Sequence, residues 1–156
     1  MSDIGLYFAH ENARSSQSEM ISVRALTNGG FLLAAAPTGI GKTAAALASA
    51  LHSSFDNHIS PDRANIIFMT GRQTQHKIVV DTVRKINSRI PDGVPKISLV
   101  DIIGREGMCD HVDKMTGKCD CEDGVVEESR KSRRADLRKK LLDEPQHVDW
   151  TVKYGR

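Results

Sequence analysis

Residues 34–43 read AAAPTGIGKT, between the apolar run FLLAA at 31–35 and an Ala- and Leu-rich run at 42–53. No other stretch leaves the chain fewer options. Gly39 and Gly41, followed at once by Lys42 and Thr43, suit a tight turn that opens a helix. In such a loop backbone N–H groups line a concavity, and the positive end of the helix dipole favours an anion. The lysine reaches β- and γ-phosphates, and the neighbouring hydroxyl ligates Mg²⁺. Lys42 and Thr43 are therefore the candidate catalytic pair, within a loop completed by Ala36, Pro37, Thr38, Gly39, Ile40 and Gly41. Ala36 stands where the general pattern has its first glycine. Pro37 after it pushes Ala36 toward extended backbone, with negative φ, which alanine tolerates.

The loop needs a strand before it and a helix after it. Ser16 and Glu19 fit a capping box, with Met20, Ile21, Val23 and Leu26 as a helical face and NGG at 28–30 as a stop. FLLAA at 31–35 reads as a buried strand, and 42–53 as a helix. NIIFMT at 65–70 reads as a second strand. Residues 74–89 carry Ile78, Val79, Val80, Val83 and Ile86 among charges, an amphipathic helix. KISLVDII at 96–103 reads as a third strand. Strand, helix, strand, helix, strand predicts an α/β fold, a parallel sheet with right-handed crossovers. Aromatics are only 4% of the chain against 39% apolar residues, so the core is expected to be aliphatic.

After Ile103 the periodicity stops. GREGMCDHVDKMTGKCDCEDG holds all three cysteines, Cys109, Cys119 and Cys121. An odd number so clustered reads as a metal site before a disulfide framework. Thiolates suit iron–sulfur clusters and zinc, and zinc would need a fourth ligand such as His111 or His147. Residues 125–143 read as a charged helix. Within it RKSRRADLRKK at 130–140 has seven Lys or Arg and one Asp. That is either a solvated face or a patch that tracks a nucleic-acid backbone. The net charge of +2 does not by itself announce such a partner. No apolar signal region or membrane span is visible, so a cytoplasmic protein with no membrane partner is expected. WTVKYGR at 150–156 has the look of a cut end.

AAAPTGIGKT resembles motif I of superfamily 2 helicases, and ARSSQSEMI at 13–21 is similar to the R-P-x-Q-x-x-M segment of the XPD/DinG-like DNA helicases. Arg14 and Gln17 match, with Ser15 in place of the proline. The resemblance implies that Gln17 reads the adenine edge of ATP. IIFMTGRQTQ at 66–75 looks like motif Ia, which implies DNA-backbone contacts from Thr70, Arg72, Thr74 and Gln75, although the arginine is shifted by one place. GREGMC at 104–109 resembles the opening of the iron–sulfur domain of those helicases. It implies that Cys109, Cys119 and Cys121 are three ligands of a [4Fe–4S] cluster whose fourth ligand is not in this chain.

On this resemblance residues 1–103 form the N-terminal part of a RecA-like P-loop domain, and 104–156 an incomplete iron–sulfur domain. The whole protein is then an ATP-dependent 5′-to-3′ DNA helicase of repair, binding ATP, Mg²⁺ and single-stranded DNA and completed by the remainder of the helicase chain. Asp143-Glu144 is the sole Asp-Glu pair after an apolar run, and it does not end a buried strand. The chain therefore lacks a Walker B pair and a second motor domain and is expected to be inactive alone. Two other readings stand: a stand-alone nucleotide- or DNA-binding module, and a small P-loop kinase or ATPase with a zinc loop.

Overall fold

Helix-period apolar patterns decide this architecture. The computed structural model describes residues 6–21, 31–56, 65–109, 113, 115–116 and 127–155. In order along the chain are α1 (Ser15–Ile21), α2 (Lys42–Asp56), α3 (Gln73–Arg89), α4 (Arg105–Met108), α5 (Glu127–Asp143) and α6 (Val148–Gly155). The chain divides into two compact units, with the boundary between Lys96 and Ile97.

In the first unit α2 packs against both α1 and α3. Ala44, Leu47, Ala48 and Leu51 recur at helical spacing along α2 and are buried. Ala45 and Ala48 are fully enclosed, so the small residues set how closely the neighbouring helices approach. Val79, Val83 and Ile86 form the matching face of α3, with Ile90 just beyond it. Each enclosed aliphatic side chain of this size is worth about 1.5–3 kcal/mol relative to exposure. Ile78, expected on that face, is 49% exposed. Tyr7 stacks on Phe55 at 5.0 Å between centroids and closes the far end of α2. Ser49 Oγ donates to Ile21 O, tying α2 to the end of α1. Beyond α3, Val94 N–H donates to Pro91 O across a turn that needs positive φ at Gly93, +88°.

The α1 cap sits two residues earlier than the capping box at Ser16 and Glu19 predicts. Arg14 is the cap residue: its carbonyl accepts from Gln17 N and Ser18 N, and Gln17 Oε1 accepts from Arg14 N at 2.9 Å. A glutamine three positions into the helix thus supplies the return half of the box. Val23, Leu26 and the stop at 28–30 lie outside the described residues.

The parallel sheet expected of residues 31–35, 65–70 and 96–103 is not there: no strand occurs among the described residues. The RecA-like α/β fold class is corrected accordingly. An apolar extended segment becomes a strand only when another segment completes its hydrogen-bond ladder. Buried parallel strands are also covered on both faces. Here Phe31, Leu33, Ile67 and Met69 are largely or wholly exposed, and so are Val100 and Ile102.

In the second unit α6 packs against α4 and α5. Val148 begins α6 and is buried. Its N–H donates to Asp101 Oδ2 at 2.9 Å, a cap supplied from 47 positions away. Trp150 and Tyr154 stack one turn apart along α6 at 4.9 Å. Tyr154 hydroxyl donates to Asp136 of α5, and Lys140 Nζ lies 4.6 Å from the centroid of the same ring.

Candidate nucleotide site

The loop at 36–43 lies wholly within the first unit. Gly39 and Gly41 have φ of +83° and +82°, a region that side chains rarely adopt. No other residue type among those described has positive φ, so Ala36 sits in ordinary backbone as Pro37 predicts. The helix then starts at Lys42. Ala45 N–H is given to Gly41 O, so the N–H groups of Lys42, Thr43 and Ala44 precede the first intrahelical bond. They form the positive end of a 15-residue helix.

Lys42 Nζ donates to Ala36 O at 2.9 Å and to Pro37 O at 2.7 Å. The ammonium is thereby held over the turn by neutral carbonyl acceptors, which an anionic phosphate oxygen can replace as a stronger partner. Thr43 is the second residue of the helix and is half-buried. Thr38 and Gly39 are exposed at the tip of the loop, and Ile40 is half-buried behind them.

Arg14 and Gln17 are brought to this loop from α1. Arg14 Nη1 donates to Gly39 O at 3.2 Å. Gln17 is only 5% exposed, and a Cβ on Gly41 would overlap its Nε2. So Gly41 is glycine for two reasons, its φ and the close approach of Gln17. The Gln17 amide holds the Arg14 N–H with its oxygen and packs on Gly41 with its nitrogen. In this arrangement it acts as a strut under the loop. Residue type at 14 and 17 was legible in the sequence, but their contact with residues 39 and 41 was not, because a burial 24 positions away leaves no local pattern.

Thr70, Arg72, Thr74 and Gln75 gather at the start of α3. Arg72 is the cap residue, with extended backbone and no side-chain capping bond. Its N–H approaches Thr70 Oγ1 at 3.4 Å, and its carbonyl accepts from Gln75 N. The side chains of Arg72 and Thr74 are exposed, while Thr70 and Gln75 are half-buried.

In the second unit Cys109 follows α4 and is half-buried. Cys119, Cys121 and His111 lie outside the described residues, and no group of three metal-ligating side chains occurs among the described ones. His147, the other zinc candidate, stands at the start of α6. Its Nδ1 accepts from Asp149 N, and its Nε2 lies 3.7 Å from Asp101 Oδ2, too far for a hydrogen bond. Asp143 ends α5 and Glu144 N–H closes that helix on Lys140 O, both exposed. A helix end is not the strand end a Walker B pair occupies. No helix among the described residues is long and apolar enough to cross a membrane.

Comparison with family models, with curated proteins and with solved structures gave no match to this chain.

Proposed function

We propose that residues 36–43 bind the triphosphate of ATP, within a protein that acts as an ATP-dependent DNA helicase of the XPD/DinG type in repair. The observation that carries this reading is Lys42 Nζ, held by the Ala36 and Pro37 carbonyls above two left-handed glycines at a helix start. Lys42 would take the β- and γ-phosphates, the first-turn N–H groups would take phosphate oxygens, and Thr43 would hold Mg²⁺. The bound metal neutralises charge between the phosphates. Arg14 and Gln17 hold the loop from α1, through Gly39 O and against Gly41. The exposed Arg72 and Thr74 at the start of α3 offer a cation and a hydroxyl to a DNA backbone. Cys109, Cys119 and Cys121 would contribute thiolates to a [4Fe–4S] cluster.

A second reading, a nucleotide-binding module without motor activity, is favoured by where the Asp143-Glu144 pair stands, at the end of the α5 helix rather than at the end of a strand. Hydrolysis needs a carboxylate to hold Mg²⁺ and a group to position water. The chain by itself is therefore expected to bind without turning over.

Titration with a fluorescent ATP analogue in Mg²⁺ tests both. Lys42→Ala is expected to weaken binding about 10- to 150-fold, the worth of a hydrogen bond to a charged group. Unchanged affinity would refute the phosphate-loop assignment. DNA-stimulated turnover of about 1 s⁻¹ or faster, abolished by the same substitution, would refute binding without hydrolysis.

A further inference from the structure

The side chain beneath the nucleotide loop has both of its polar ends committed. Gln17 is almost wholly enclosed. Its Oε1 accepts from Arg14 N at the start of α1. Its Nε2 occupies the place where a Cβ on Gly41 would stand. An amide pairs with the donor and the acceptor of an adenine edge only when its oxygen and its nitrogen both face the base. To do so here, Oε1 would have to release Arg14 N. That gives up the return half of the α1 cap, in a helix of only seven residues that is too short to hold by itself. The side chain would also have to leave its place against Gly41, and the turn held at φ +82° would lose its support. Arg14, the other residue that α1 brings to the loop, gives Nη1 to Gly39 O. The phosphate-facing groups need no such rearrangement. Lys42 Nζ already lies over the turn on two carbonyls, and the N–H groups of Lys42, Thr43 and Ala44 precede the first intrahelical bond. These groups suit phosphate oxygens, which every nucleoside triphosphate shares.

We infer that the loop at 36–43 takes nucleoside triphosphates as a class and does not read the base, so that ATP, GTP, CTP and UTP bind alike. Gln17, which the helicase resemblance places on adenine, is a positioning residue that acts through Gly41. The inference rests on the reading of residues 36–43 as a triphosphate site and names what that site accepts. A bidentate amide contact would favour adenine by about 5- to 150-fold, the equivalent of about 1–3 kcal/mol. An amide spent on Arg14 N and Gly41 gives no such preference.

The test is displacement of a ribose-labelled fluorescent ATP analogue from the full 156-residue chain by ATP, GTP, CTP and UTP, in Mg²⁺. The four are expected to displace it at concentrations within about fivefold of one another, the smallest preference that a bidentate contact gives. Gln17→Glu is the discriminating variant. Its carboxylate still accepts from Arg14 N, so the α1 cap is kept. Against a base it would exchange the adenine pattern for the guanine one, because a carboxylate accepts from guanine N1–H and N2–H. Beneath the loop it leaves the ATP-to-GTP ratio unchanged, while all four nucleotides weaken together because its charge opposes the phosphates. A preference for ATP beyond about fivefold in the parent would overturn the inference, whether or not Gln17→Glu removed it. A shift of the ratio toward GTP in Gln17→Glu would overturn it as well. Failure of the analogue to bind, or binding indifferent to Lys42→Ala, would overturn the triphosphate reading itself and this inference with it. An ATP preference that still depends on Lys42 overturns the inference alone.

Discussion

Replacing Gly41 by alanine tests how the loop and α1 are joined. Two costs apply at this position. The backbone is held at φ +82°, where an alanine is strained by about 1–2 kcal/mol. The new Cβ would also overlap Gln17 Nε2, so the buried amide must leave. Its bond to Arg14 N would go with it, a net loss of about 1 kcal/mol. The expected total is about 2–3 kcal/mol, the sum of those two estimates. Gly39 provides the control within the same loop. Its φ is +83°, yet nothing lies within 4 Å of its notional Cβ, so Gly39→Ala should cost the strain alone. Amide exchange of α1 and α2 reads this unit by itself. The double variant Gly41→Ala with Gln17→Ala should cost less than the two single changes added, because the first change then displaces nothing. Equal losses for Gly39→Ala and Gly41→Ala, or full additivity in the double variant, would refute the account of Gln17 as a strut.

Ile86 is fully enclosed in the first unit, so Ile86→Ala should cost about 2–5 kcal/mol in amide-exchange stability of α3. Ala48, also fully enclosed, leaves no room for growth, and Ala48→Leu should cost about 1–3 kcal/mol by the same measurement. Asp101→Ala should remove the α6 cap at a cost of about 0.5–2 kcal/mol, read as faster exchange at Val148 N–H while α1–α3 are unaffected. Lys140 is held charged above its usual 10.5, first by its hydrogen bond to Tyr154, then by the charges of Tyr154, Asp136 and Asp143. A raised value means that the contact is complete below about pH 10.4 and is lost as pH rises through the raised value. NMR titration of the Lys140 side chain should place its midpoint above the usual 10.5, and a midpoint below that would refute the contact.

Two helices were legible as periodicity: residues 42–53 became Lys42–Asp56 and 74–89 became Gln73–Arg89. Residues 125–143, legible as a run of charge, became Glu127–Asp143. Both signals are local properties. The three apolar stretches at 31–35, 65–70 and 96–103 were read as strands from the same kind of local pattern. A strand, however, is defined by the segment beside it, which a run of Leu, Ile and Phe does not specify. The phosphate loop was legible because Gly39, Gly41, Lys42 and Thr43 are consecutive or nearly so. Gln17 stands out in the sequence through its match to the helicase segment, but its burial against Gly41 depends on the packing of α1 on α2. The α6 cap was hidden for the same reason, since nothing near Val148 in sequence points to Asp101.

The Asp101 cap has a topological consequence. One hydrogen bond closes a loop of 47 positions around α4 and α5, and α6 is only eight residues long, too short to persist unaided. The helix therefore depends on the rest of its unit, on α4 and α5 as well as on the Asp101 carboxylate. A cluster linking Cys109 to Cys121 would shorten the loop by about a quarter and ease its closure by only about 0.3 kcal/mol, since the penalty grows with the logarithm of length. Closure of this ring and occupation of the cysteines are, by that arithmetic, nearly independent events.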